Sequence, residues 1–587
     1  MKFSDKWLKI PFIILVVFAF SFSCSKKQQV VETPKPTGPE YGTVKDTTGK
    51  PVASASVYLV PASEQAVSCN QNRIEYYPPR AHIVRPPGER AFFVNGADST
   101  IYLASIDEPL EYLVYMTPKP GKWQVAYTSP QGRFWFKDTK PGDYYMYVKP
   151  ASKKHLMPGG SLCCGITTVK GDEDTRKEIT MLRNVSLAEV GKDWDFLFVD
   201  GNQKIPDGLY GIRAEDCGEC HIEQFMEWKD STHAQALQDA QYQAEISKPG
   251  SPKWVCLNCH TPIQNQRPYF IRGLVEGDYY RPIREVNPEY DPILERESIS
   301  CAICHVRDGY IIGPYGSKVA AHPVKKDKSY LGDLCNYCHN VNDVLNPATV
   351  CCFDIGREMR SGEPFRKGEN CVTCHMQSKR RPLMEGYPAR KGSAHWWAGS
   401  GAPKFFFGYD NMVERGYVPG LKITIKGITN VRPGKEAVLK VHYKNISGHY
   451  LLTGDPERFL QMEAALVDGS GKKVYKTINK IEQHWIWEPV SYKDIDNRMK
   501  PLEERVLKIK IPLPDNLNGL KLVYKGTHVR LTPGHADHME GSVSNIREVY
   551  PLSTIFFMEE INLKTKKRKK YPLKELMAIS KKKVGVI

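Results

Sequence analysis

Five copies of Cys-x-x-Cys-His crowd into residues 217–375: Cys217-Gly-Glu-Cys220-His221, Cys256-Leu-Asn-Cys259-His260, Cys301-Ala-Ile-Cys304-His305, Cys335-Asn-Tyr-Cys338-His339 and Cys371-Val-Thr-Cys374-His375. Each sets two thiols one helical turn apart with an imidazole beside them, the arrangement that ties a haem through its two vinyl groups and ligates its iron. With Cys and His each at 16 of 587 residues, chance gives roughly 0.01 such motifs. Zinc would use paired Cys-x-x-Cys units without an obligatory following His, and a thioredoxin-type redox pair would occur once. The chain is therefore expected to carry five covalent haem c groups. The 159 residues from 217 to 375 leave about 32 per haem, too few for a side-chain core around each. The porphyrins themselves must then form the core, inside a mostly helical or irregular wrapping.

The sequence around the motifs is more specific than their number. Cys217-Gly-Glu-Cys220-His221-Ile-Glu-Gln-Phe225-Met-Glu-Trp228-Lys-Asp-Ser231-Thr-His233-Ala234 resembles the first haem segment of the tetrahaem cytochromes of ammonia oxidisers. The wider group includes hydroxylamine oxidoreductase and pentahaem nitrite reductase. Ile299-Ser-Cys301-Ala-Ile-Cys304-His305 and Asn370-Cys371-Val-Thr-Cys374-His375-Met376 are similar to its third and last haem segments, and the resemblance spans roughly 208–460.

Distal ligands decide what such irons do, because two imidazoles block an iron and a vacant side lets it bind substrate. His233 lies twelve residues after His221 on an expected helix, about 18 Å along its axis, so it should serve another haem. The resemblance implies a stacked partner, taken here as the third. By the same resemblance His322 and His395 are distal ligands, and His449 in Gly448-His449-Tyr-Leu-Leu452-Thr453-Gly454 matches a ligand-bearing loop with Leu452 in place of proline. The alternative for each is a surface or turn histidine. Four candidates leave one iron unassigned. The expected one is the second, at His260, which lacks a distal ligand in the tetrahaem relatives; His528, His535 or His538 could also supply it.

Residues 1–23 combine Lys2, Lys6 and Lys9 with the apolar run 10–22, an export signal too short to span a bilayer comfortably. Ser23-Cys24 resembles a lipoprotein processing site, so Cys24 is the expected lipid anchor; ordinary secretory cleavage is the alternative. Residues 24–40, with three prolines, read as a tether. The expected location is extracytoplasmic, periplasmic or at the cell surface, on the outer membrane. Cys69, Cys163, Cys164, Cys351 and Cys352 remain outside the motifs and the anchor, enough in an oxidising compartment for one or two disulfides of unassigned pairing.

On either side of the haem stretch, 206–419, the pattern is β. Alternating apolar residues flank a Gly-Pro turn in 42–59, predicting a β-hairpin, and alternate again about Pro141-Gly142 in 132–148. This resembles the carboxypeptidase regulatory-like family, a transthyretin-like β-sandwich, with a long insertion at 68–124 and a domain ending near 182. That module implies a spacer or docking role. Residues 420–565 predict a second β-sandwich, and 566–587 a basic tail.

The formal charge of +16 is partly what haem propionates require. Removing residues 1–23 leaves +14, and the excess gathers in 564–570 and 581–583. Such runs dock acidic partners or anionic lipid, or are simply solvated. No nucleic-acid motif accompanies them. The overall expectation is a pentahaem cytochrome that relays electrons between redox partners, without catalytic residues. The alternatives are an enzyme of the nitrite-reductase or hydroxylamine-oxidoreductase type acting at one open haem, and a structural subunit of a multi-cytochrome assembly. No motif ends in the lysine that the nitrite reductases use, and five haems are fewer than hydroxylamine oxidoreductase carries.

Overall fold

The computed structural model describes residues 40–582, apart from 62–66, 71–72, 77–81, 85–91, 95–99, 105–110, 116–123, 138, 150, 153, 159–166, 170–174, 191–200, 248–251, 347–348, 353, 400, 487–491 and 542–544. The signal segment, Cys24 and the tether up to 39 lie outside the described residues, as do Cys163, Cys164 and the side chains of Cys69, Cys351 and Cys352.

The N-terminal part forms two sheets. Glu40–Asp46 lies between Arg133–Phe136 and Thr175–Val185 in the larger sheet, while Ser56–Pro61 lies between Gln124–Tyr127 and Gly142–Lys149 in the smaller one. Alternate residues of both turn inward, burying Val44, Val57, Leu59, Phe134, Phe136 and Val148. The hairpin expected over 42–59 does not form, because its two strands belong to different sheets and share only a Lys45–Pro51 bridge. The reason is local: Ser54 and Ala55 spend their backbone groups on Thr128, including Ala55 N–H to Thr128 Oγ1 at 2.8 Å. That draws the turn across to the other layer. Alternation marks a strand without saying which sheet it joins. The same arch recurs between Arg133–Phe136 and Gly142–Lys149. Nor does the β layer stop near 182. Tyr269–Val275 and Pro282–Val286, from within the haem stretch, extend the larger sheet through the Val185–Leu274 pairing.

The middle of the chain is built of helices four to eight residues long. Four of the motifs end a short helix with their His: Lys253–His260, Cys301–His305, Asn336–His339 and Cys371–His375. His221 instead caps Ile222–Lys229. Asn370 starts the last of these helices, its side chain accepting from Thr373 N at 3.0 Å. Side-chain cores here are small, such as Ile212, Ile263, Leu294, Ala302, Ile303 and Val306.

The C-terminal part is a three-stranded sheet, Leu421–Thr429, Glu436–Asn445 and Glu504–Pro512, and a five-stranded one centred on Phe459–Val467 and Lys521–Val529. They share one large core that includes Ile423, Leu439, Val441, Leu466, Leu522 and Tyr524. The basic stretch from 566 is not a free tail. Arg568–Lys570 pairs with the Ser553–Asn562 strand, and Leu573–Lys582 is a helix that buries Leu576 and Met577. Among the described residues no helix is long and apolar enough to cross a membrane.

Candidate haem-binding cavity

All five motifs face one cavity of about 2620 Å³, well beyond the roughly 300–1,000 Å³ of a single small-molecule site. Its wall includes all ten motif cysteines and ten histidines: 221, 233, 260, 305, 322, 339, 375, 395, 449 and 528. Eight of these imidazoles oppose each other in pairs. The ring centres of His221 and His322 are 6.4 Å apart, those of His233 and His339 6.2 Å, those of His305 and His395 6.3 Å, and those of His375 and His449 6.3 Å. An imidazole–metal bond of about 2 Å plus about 1.2 Å from nitrogen to ring centre, taken on both sides, spans about 6.4 Å. A metal midway between the rings fits that gap.

The ring nitrogens agree with that fit. Nδ1 of His221, His260, His305 and His375 faces the carbonyl oxygens of Leu383, Ala236, Ile312 and Ala398 at 2.7–3.0 Å. An N–H donated there leaves Nε2 with its lone pair toward the cavity, the usual second-sphere arrangement of a metal-binding imidazole. Burial holds three of the distal imidazoles neutral, pushing His233 down to about 3 and His395 and His449 to about 4.

The thiols order the motifs in space. Cys217 lies beside Cys301, Cys259 beside Cys338 and Cys335 beside Cys371, and Cys335 is also near Cys304. The fourth motif is thus a hub beside the second, third and fifth, with the first beyond the third.

The assignment of His233 to the third motif is corrected by this geometry. His233 opposes His339 of the fourth motif, and the third-motif His305 is met by His395. The helix assumed to carry His233 ends at Lys229, and the chain then turns, held by Ile299 N–H to the His233 carbonyl at 3.2 Å. His260 differs from the other four. Among the described residues no second imidazole opposes it; Tyr242 stacks on its face at 3.7 Å. His528 lines the cavity but sits by Arg458 and Arg530, and His535 lies 3.9 Å from Glu457.

Sequence reasoning missed the buried ions that hold the distal histidines. Glu227, on the helix after the first motif, accepts from Arg381 at 2.7 and 2.8 Å, from Lys379 at 2.6 Å and from the His395 backbone N–H at 2.9 Å. Burial alone would raise its carboxyl, but these cations pull it below the usual range. Glu358, on Ile355–Arg360, accepts from Arg498 and from Thr453 Oγ1, both at 2.6 Å. That clasps the loop carrying His449 from the haem side, while Asn445 Nδ2 donates to the His449 carbonyl at 2.9 Å. Lys404 and Asp239 form a further buried pair near His260. Nothing in the sequence distinguishes these acids and bases from surface charges except their position between motifs.

The family model described as cytochrome c554 and c-prime matches residues 216–276, the stretch holding the first two motifs. Among solved structures, the penta-haem cytochrome c552 from Thermochromatium tepidum aligns at 18% identity over 62% of this chain and 100% of that chain, with a TM-score of 0.42. A β-glucuronidase from Bacteroides uniformis aligns at 13% identity over 19% of this chain and 11% of that chain, with a TM-score of 0.11. Sporulation control protein Spo0M from Bacillus subtilis aligns at 15% identity over 19% and 43%, with a TM-score of 0.09. No match was found among curated proteins. The repeated motifs, the shared cavity they line and the family-model match make this chain a multihaem c-type cytochrome that binds its haem covalently.

Proposed function

We propose that the protein is an extracytoplasmic pentahaem cytochrome that relays electrons between redox partners. The observation that carries this reading is the set of four opposed imidazole pairs at 6.2–6.4 Å. An iron held by two imidazoles has no side left for substrate and can only exchange electrons. When bound, each haem supplies a one-electron ferric–ferrous couple. The chain's part would be to hold four irons through a motif His and a distal His and the remaining one through His260, with the motifs ordered as the thiols lie: the first beside the third, the third beside the fourth, and the fourth branching to the second and fifth. Cys24 would tether the protein to the outer membrane, and Cys24→Ala should release it to the soluble fraction. The N-terminal β part, as a carboxypeptidase regulatory-like module, would space or dock the haem region.

A second reading attaches to one place. His260 faces no second imidazole among the described residues, so the second haem is where an enzymatic activity on a small nitrogen compound would reside. Low-temperature electron paramagnetic resonance of the matured full-length protein separates the two readings. Four low-spin, bis-imidazole haems with one haem of different ligation are expected. Two or more high-spin haems would sink the relay reading, and a mass below five haems would refute the count.

A further inference from the structure

One face of the C-terminal sandwich is rich in lysines. On the outer face of the three-stranded sheet, alternate positions of neighbouring strands carry Lys422, Lys426, Lys440, Lys444, Lys508 and Lys510. The register sets Lys422 directly across from Lys444, and Lys440 directly across from Lys508. Like charges directly opposed cost a sheet stability, and the core, on the other face, does not call for them. Glu504 answers Lys444 at 2.7 Å and His442 at 3.0 Å, and Glu436 answers Lys510 at 3.2 Å. Lys422, Lys426, Lys440 and Lys508 have no ion pair among the described residues.

The basic run 564–570 extends this face. The Arg568 guanidinium donates to the Ile425 carbonyl oxygen at 2.9 Å, which seats that exposed run at the open edge of the same sheet. Two stretches more than fifty residues apart thus build one cationic surface. It also has a direction: Leu421 and Ile446, at its Lys422–Lys444 end, line the haem cavity, and the chain runs on from there into the loop bearing His449.

We propose that this face docks an acidic electron-transfer protein and sets it beside the fifth motif; the inference rests on the relay reading. A second copy of this chain would bring the same unpaired lysines and be repelled by this face. A lipid surface would call for a cluster of apolar anchors, and among the described residues the face exposes only Val506 on its strands and Ile446 at its end as large apolar side chains. Lysine ammoniums are hydrated point charges that steer an encounter without fixing one geometry, which suits a transient redox complex. In the complex one electron passes from partner to a ferric iron: the partner is oxidised by one electron, the iron becomes ferrous, and no atom is transferred.

The test uses the matured full-length protein and, as probe, flavodoxin hydroquinone, an acidic one-electron donor, in stopped flow at low ionic strength. The variant Lys422→Glu/Lys440→Glu/Lys508→Glu should be reduced at least about tenfold more slowly, with its salt dependence flattened. The variant Lys50→Glu/Lys137→Glu/Lys140→Glu, with the same change in net charge on the N-terminal sheets, should stay within about twofold. Equal slowing of both variants would reduce the effect to net charge, and no slowing of the first would leave the face idle; either overturns the proposal. So would an unchanged flavodoxin rate with lost binding to vesicles containing about 30% phosphatidylglycerol, which would make the face a lipid surface. Failure of the relay reading is seen separately, as haems of the unaltered protein that a small neutral reductant does not reduce.

Discussion

The C-terminal sandwich and the haem region are neighbours along the chain and opposites in construction. In the sandwich, strands such as Glu436–Asn445 alternate exposed and buried residues with almost perfect regularity, and a single cluster of more than twenty buried apolar side chains fills the space between sheets. In the haem region the helices are one or two turns long, the apolar clusters hold a handful of residues, and the largest feature is a cavity of about 2620 Å³ walled by cysteines and histidines. One region is held by what its own side chains bury. The other is shaped around what it binds, with buried ions such as Glu227–Arg381 fixing the wall. The difference teaches that short helices with thin cores can still define a rigid site when the cofactor is part of the core.

The largest test of that contrast is to withhold haem. Protein made without the attachment machinery should keep slow hydrogen exchange in the sandwich, with residues 206–419 exchanging at nearly unfolded rates. Protection in both regions would show that the haem region has a sufficient side-chain core after all.

The next test cuts the seam between the regions. Glu358→Ala leaves Arg498 buried with only Asp496 to answer it, and breaking a buried pair costs about 3–5 kcal/mol. The loop holding His449 should loosen, and one low-spin haem should become partly high-spin by electron paramagnetic resonance with haem content unchanged. Glu358→Gln, which can still accept from Thr453, should restore most of the low-spin signal. An unaltered spectrum in the Ala variant would mean that the seam does not position His449.

A smaller, one-sided effect is expected inside the sandwich. Leu439 is fully buried in its core, so Leu439→Ala should cost about 2–5 kcal/mol, read as a lower urea midpoint for the sandwich with the Soret band unmoved. If the haem spectrum shifts with it, the two regions are not independently held.

How much of this was legible in the sequence follows the same divide. The ten cysteines and the proximal histidines announce themselves by spacing, and His322, His395 and His449 could be picked out because the local sequence resembles ligand-bearing segments. All three do face a motif imidazole. Which motif His233 meets was not legible, because it depends on where the helix ends and on a turn held by Ile299, both tertiary matters. The hairpin over 42–59 failed for a related reason: period two marks a strand, while the partner is set by hydrogen bonds to Thr128, far along the chain. The ion pairs of Glu227 and Glu358 carry no pattern at all, since an acid beside a helix end looks the same whether it meets water or a buried arginine. The cationic face was half visible, as a basic run at 564–570; the sheet lysines joined it only through strand register.

The smallest effect expected is a pH dependence that belongs to the sandwich side alone. Burial would raise the Asp496 carboxyl, but Arg498 and Lys493 outweigh it and bring it down to about 2. A carboxyl depressed in the folded state stabilises it fully above its unfolded value, near 3.8, and that contribution is lost as pH falls from there through about 2. Asp496 is partly exposed, so solvent screening keeps the effect to about 1 kcal/mol or less. The urea midpoint of the sandwich should therefore fall between about pH 4 and pH 2.5 by more in the unaltered protein than in Asp496→Asn. The Asn variant should start lower at neutral pH, because Arg498 keeps only Glu358 as a charged partner. Parallel curves for the two proteins would mean that the Asp496–Arg498 contact adds nothing to the sandwich, leaving Glu358 alone to hold Arg498 against the haem region.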